Sequence, residues 1–120
     1  MPPELRTLAQ ARAWYDAWLR DAALPLWAGV GVDGASGLFQ ESLTIEGRPF
    51  PGPRRFRVQA RQVFVFASAA NAGLGSVWAD VARRGYDAFN RAYRRPDGLY
   101  LNRLAEDGSV LDGGVDIYEQ

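Results

Sequence analysis

The sequence contains no cysteine and no histidine, and all 14 of its basic residues are arginine. Without cysteine there is no disulfide framework and no thiolate nucleophile. Without histidine, the commonest general base and metal ligand near neutral pH is missing. Fourteen carboxylates balance the 14 arginines, so the net charge is zero. Nothing electrostatic therefore argues for nucleic acid or an anionic membrane as partner. The lack of lysine leaves only planar guanidiniums, which suit bidentate contacts better than loose solvation. No apolar run approaches the ~20 residues that cross a bilayer. Met1 to Arg6 lacks the apolar stretch of a signal peptide, and a cytoplasmic setting is expected.

Several catalytic signatures are also absent. There is no P-loop and no G-x-S-x-G. The glycines at 29, 31 and 34 neither follow a strand nor open a βα unit, so they make no dinucleotide fingerprint. No acidic cluster has metal-ligand spacing, and neither a metal nor a cofactor is expected. A carboxylate pair flanking a glycosidic bond cannot be assigned.

What is present is a globular composition in 120 residues, 48% hydrophobic and 23% charged. Residues 4 to about 23 read as an amphipathic helix with an apolar stripe of Leu8, Ala11, Tyr15, Trp18 and Ala22. Asp16 and Arg20 are an expected i,i+4 pair. Pro2 and Pro3 suit its approach, and Pro25 is expected to stop it. Residues 29 to 53 are too rich in Gly and Pro to be helical throughout. Within them Leu38 to Leu43 reads as a strand, Glu46-Gly47 as a turn and the residues after it as a weak return.

Residues 54 to 74 fit both periodicities. Their length and Ala-rich second half favour a helix over a strand. Gly73 and Gly75 end it, and Ser76 is placed to cap the next helix. That helix, 77 to 95, is the clearest. Trp78, Val81, Ala82, Phe89, Ala92 and Tyr93 share one face, with Asp80–Arg84 and Asp87–Arg91 outside. A second hairpin follows, with arms Leu99 to Leu104 and Val110-Leu111 around Asp107-Gly108.

The two hairpins match without a gap. Gly37-Leu38-Phe39 corresponds to Gly98-Leu99-Tyr100, Leu43 to Leu104 and Glu46-Gly47 to Asp107-Gly108, all offset by 61 residues. The unit is helix, β-hairpin, helix, with a period near 60. Such repetition signals a stacked helical array in which no unit buries both faces alone. Two repeat units, about 4–74 and 76–120, are expected, the second incomplete. A two-repeat binding or interaction module is the non-enzymatic alternative.

Four stretches, in order, resemble the N-acylglucosamine 2-epimerase family. They are Leu24-Pro25-Leu26-Trp27 before a Gly-rich loop, Gly37 to Leu43, Arg55 to Phe64, and Gly114 to Gln120. The resemblance implies an N-terminal portion of an (α/α)6 toroid, a mostly α fold with short β-hairpins at the active-site end. Six units of about 60 residues would close such a ring. It implies sugar 2-epimerase or aldose–ketose isomerase chemistry on N-acylglucosamine, mannose, cellobiose or mannose 6-phosphate. A small-molecule sugar is the implied partner, and a homodimer of the full-length protein is left open. Related helical rings also hydrolyse glycosides, so a hydrolase fragment is a second enzymatic alternative.

That chemistry removes a proton beside a carbonyl and returns it. It needs acid/base groups of tuned pKa and a holder for the enediolate oxygen. In the resembled family the acid/base groups are two histidines on later helices, so this chain is expected to be inactive alone. Arg61 resembles the family's active-site arginine near the O1 and O2 oxygens of the sugar, and is expected to project from its helix with Arg54 and Arg57. Tyr118 resembles a substrate-contacting tyrosine at the start of the next inner helix. Trp27, read as opening a loop, is the tryptophan expected to meet sugar. Trp14, Trp18 and Trp78 are expected in packing roles. Asp116 is expected to cap a helix, and Phe39 and Glu41 are expected to serve structure.

Overall fold

The computed structural model describes residues 3–120, so Pro2, expected ahead of the first helix, lies outside the described residues. The first helix, α1 (Leu8–Trp18), opens with a capping box. Thr7 Oγ1 accepts from the Gln10 N–H (3.1 Å) while Gln10 Oε1 accepts from the Thr7 N–H (3.2 Å). The helix does not stop before Pro25. A π-turn over Leu19–Ala23 leads directly into α2 (Leu24–Ala28). In this turn the Leu24 N–H donates to the Leu19 carbonyl, five residues back. Pro25 therefore falls at the second residue of α2, inside a continuous helical run that changes its hydrogen-bonding pattern just before it.

The expected stripe on α1 is not a core face in this chain. No α1 residue is buried, and Leu8 is 91% exposed. Asp16 pairs with Arg12 (3.6 Å) rather than Arg20, which pairs with Asp21 (3.1 Å). Neighbours one turn away in either direction compete for an exposed carboxylate, and the energies that separate them are small.

The body is a helical hairpin, α3 (Phe56–Asn71) packed on α4 (Val77–Tyr93). The helix reading of residues 54 to 74 holds for α3, but its first two residues are extended. They form β1 (Arg54–Arg55). Ser76 sits at the N-cap of α4 in helical geometry and makes no capping bond with its side chain. Asp80 pairs with Arg83 (2.8 Å), and Arg84 Nε reaches only the Asp80 carbonyl (3.5 Å). Among the described residues no ion pair joins Asp87 to Arg91.

Two buried clusters hold the hairpin together. In one, Leu24 of α2 meets Phe39, Phe66, Trp78 and Val81. The Phe39 and Phe66 rings stack 5.6 Å apart. In the other, Leu38, Phe56, Phe89, Tyr93 and Leu104 pack together, with Phe56 stacked on Tyr100 at 4.3 Å. Gly85 lets Phe39 reach α4: a Cβ there would lie 2.6 Å from the Phe39 ring.

β2 (Arg103–Leu104) pairs antiparallel with β3 (Val110–Asp112), giving the second expected hairpin. The first hairpin closes through a single bridge, Leu43 to Pro49. β1 then adds to β2, so the three strands run β1-β2-β3 and tie the start of α3 to the second hairpin.

The 61-residue offset extends to hydrogen bonds. Gly47 N–H donates to the Thr44 carbonyl, and Gly108 N–H to that of Ala105. Both glycines have positive φ, as these turns require. Glu41 accepts from the Arg55 N–H (3.1 Å), and Asn102 from the Asp116 N–H (3.2 Å). Gln59 spans the Phe39 backbone, accepting from its N–H (2.8 Å) and donating to its carbonyl (2.7 Å). Gln120 does the same to Tyr100, at 2.9 and 3.0 Å.

Candidate active site

Residues 116 to 120 make a tight turn. Asp116 Oδ1 accepts from the Tyr118 N–H (2.9 Å), and its carbonyl accepts from the Glu119 N–H (2.9 Å). Asp116 thus fixes this turn, and residues 116–120 form no helix for it to cap. The turn lies against the first turns of α3. Glu119 is 7% exposed and clasps Arg57 twice. Its Oε2 accepts from the Arg57 backbone N–H (2.8 Å), and its Oε1 lies 3.1 Å from Arg57 Nε. A carboxylate at the N-terminus of a helix also meets the helix dipole favourably.

This clasp seats Tyr118 between two guanidiniums. Arg61, one turn beyond Arg57 on α3, donates from Nη2 to the Tyr118 hydroxyl (2.7 Å). Arg57 Cζ lies 4.8 Å from the Tyr118 ring centroid and Arg61 Cζ 5.6 Å from it, both within cation–π range. Tyr118 is 59% exposed. The hydrogen bond from Arg61, then the charges of Arg61 and Arg57, hold its hydroxyl below the usual phenol range. Arg61 has no carboxylate partner among the described residues, so its remaining donors stay available to a ligand.

Of the three residues singled out from sequence, Arg61 and Tyr118 are in contact and Trp27 is elsewhere. Trp27 does not open a loop. It lies in α2, half-buried, on a cavity of about 260 Å³ with Trp18, Leu24, Val65 and Phe66. Its ring packs on the apolar core, and Gly31 closes over it, leaving 2.6 Å between a Cβ there and the ring.

Arg54 also departs from expectation. It is 5% exposed and does not project with Arg57 and Arg61. Its extended backbone on β1 turns it inward. There it donates to the Glu106 carbonyl and to Gln40 Oε1 (3.2 Å each) and lies 3.8 Å from Asp33. Phe39 is buried and Glu41 binds Arg55, so both serve structure. Sequence reasoning missed Glu119. Its signal is weak, since a lone carboxylate near a chain turn predicts no partner 62 residues away.

The family model for N-acylglucosamine 2-epimerase (GlcNAc 2-epimerase) matches residues 37–120. The chain belongs to the N-acylglucosamine 2-epimerase family. It is 43% identical over 103 residues to the mannose-6-phosphate isomerase of Rhizobium meliloti (strain 1021), covering 86% of this chain and 27% of that protein. Among solved structures it is similar to cellobiose 2-epimerase from Spirochaeta thermophila, with a TM-score of 0.76 and 28% identity over 92% of this chain and 28% of that one. It also matches a D-mannose isomerase with a TM-score of 0.73 at 17% identity, covering 94% of this chain and 27% of that one, a likeness of fold.

The chain therefore spans about a quarter of the length of these epimerase-family relatives. Its fold is a segment of the (α/α)6 toroid, mostly helical with a small three-stranded sheet. Among the described residues no helix is long and apolar enough to cross a membrane, and no cluster of acidic side chains is placed to hold a metal.

Proposed function

We propose that this chain supplies the first two units of a toroidal sugar 2-epimerase or aldose–ketose isomerase, with Arg61 and Tyr118 at its active-site end. The contact between these residues carries the reading. An arginine with spare donors and a phenol that it polarises form a polar pair suited to the O1 and O2 oxygens of an open-chain sugar. As the proton leaves the carbon beside the carbonyl, charge grows on that oxygen. A guanidinium already in place stabilises it without reorganising. Tyr118 adds a hydroxyl for a sugar OH and a ring for its apolar face. Arg57, seated by Glu119, holds the ring in position.

In this reading the proton is moved by groups outside this sequence, which contains no histidine. The similarity to a mannose-6-phosphate isomerase and a cellobiose 2-epimerase supports sugar as substrate. Incubating the full-length protein in heavy water with mannose, mannose 6-phosphate or cellobiose tests the activity. Deuterium at C2 of a recovered epimer marks epimerisation, and deuterium at C1 of a ketose marks isomerisation. Products without solvent deuterium from any of these sugars would count against it.

A further inference from the structure

Arg55 on β1 and Arg103 on β2 are directly opposed across the strand pair. Like charges so placed weaken a sheet, and here the ladder is only two residues long. Both side chains line a cleft of about 290 Å³ whose other walls include Glu41, Phe50, Pro51 and Pro53. Glu41 is ion-paired with Arg55 through Nε, which leaves both terminal nitrogens of Arg55 without an acceptor among the described residues. Arg103 has no ion-pair partner among them. Its other cross-strand neighbour, Asp112, is occupied instead by the Gly114 N–H (3.0 Å) and by Asn102 Nδ2 (3.2 Å). Across the sheet Arg55, Arg103 and Asp112 follow in order, and Glu41 meets Arg55 from outside it.

An oxyanion seated between them turns that repulsion into two charge-assisted contacts, for which guanidinium geometry is well suited. We propose that Arg55 and Arg103 form a phosphate subsite for a hexose 6-phosphate. Arg55, on β1, is the N-cap residue of α3, the helix that carries Arg61. In this reading the phosphate of an open-chain hexose 6-phosphate sits at the arginine pair, with C1 and C2 at Arg61 and Tyr118. Phe50, 57% exposed, walls the same cleft as the arginine pair. The proposal rests on the reading of Arg61 and Tyr118 given above.

The test is an NMR titration of the full-length protein with inorganic phosphate, mannose 6-phosphate, mannose and cellobiose, following side-chain signals of Arg55, Arg103, Arg61 and Tyr118. Phosphate and mannose 6-phosphate should shift Arg55 and Arg103, and mannose should not. Arg103→Gln should weaken phosphate binding about tenfold, as loss of one charge-assisted bond implies. Arg12→Gln, which removes the same charge on α1, should not. Equal weakening by Arg12→Gln, or cellobiose shifting the pair as strongly as phosphate, overturns the subsite. Mannose shifting Arg61 and Tyr118 while phosphate leaves Arg55 and Arg103 unmoved overturns the subsite alone. Phosphate shifting the pair while no sugar moves Arg61 or Tyr118 overturns the reading of the sugar site instead.

Discussion

Arg61 Nη2 donates a 2.7 Å hydrogen bond to the hydroxyl of Tyr118, 57 residues further along the chain. The contact joins α3 to the turn that follows the second hairpin. Each partner changes the chemistry of the other: the guanidinium favours the phenolate, and the phenol fixes the guanidinium.

Tyr118 should be the first tyrosine to ionise as pH rises, because Arg61 and Arg57 hold its hydroxyl below the ordinary phenol range. In Arg61→Gln it should titrate at higher pH. Ultraviolet phenolate titration of the wild type and Arg61→Gln, with Tyr118→Phe to assign the step, measures this. An unchanged first step in Arg61→Gln would refute the contact in solution.

Tyr93 should behave in the opposite way. Burial pushes its hydroxyl well above the ordinary value of 10.0, and it donates to the Arg54 carbonyl (2.8 Å). Above about pH 10 the unfolded chain releases this proton while the folded chain keeps it, so the unfolded state binds fewer protons and stability falls as pH rises. Urea unfolding at pH 8 and pH 11 should show a loss in the wild type that is smaller in Tyr93→Phe. At pH 8 the substitution should itself cost about 1 kcal/mol, the net worth of one hydrogen bond.

Gln59→Leu should destabilise the chain by about 2–6 kcal/mol, since it strands both the N–H and the carbonyl of buried Phe39 at about 1–3 kcal/mol for each unsatisfied group. Gln120→Leu removes the matching pair of bonds from an exposed residue, where water replaces them. Its cost should be under about 1 kcal/mol. Equal midpoints for the two variants in urea would contradict the difference in burial.

Gly85→Ala sets two effects against each other. Alanine is worth about 1 kcal/mol over glycine inside a helix. The new methyl, however, would sit 2.6 Å from the buried Phe39 ring and 3.2 Å from Val63. Overpacking of a close-packed core costs about 1–3 kcal/mol, so the variant should melt lower than wild type. A higher melting temperature would show that α3 and α4 have room to part.

Much of this was readable before any coordinates. The matched glycines at 37 and 98 and the turns at 46–47 and 107–108 marked the repeat, because turn chemistry is local. The same offset also relates Gln59 to Gln120. The value of that pair was hidden, since a glutamine's partner is set by tertiary packing. Pro25 misled because a π-turn is a departure in backbone hydrogen bonding that no side-chain pattern announces. Arg54 misled because Arg54, Arg57 and Arg61 look alike in sequence, while the step from strand to helix buries the first and brings the other two against Tyr118. The apolar stripe of α1 was legible, but its partner is not among the described residues.

The most direct measurement is the rate of solvent deuterium incorporation at C2 of mannose by the full-length protein, compared between wild type and Arg61→Gln. Loss of one preorganised donor to the developing oxyanion predicts a fall of about 10²–10³-fold in turnover. An Arg61→Gln enzyme that exchanges C2 at the wild-type rate would contradict the placing of this guanidinium at the reacting oxygens.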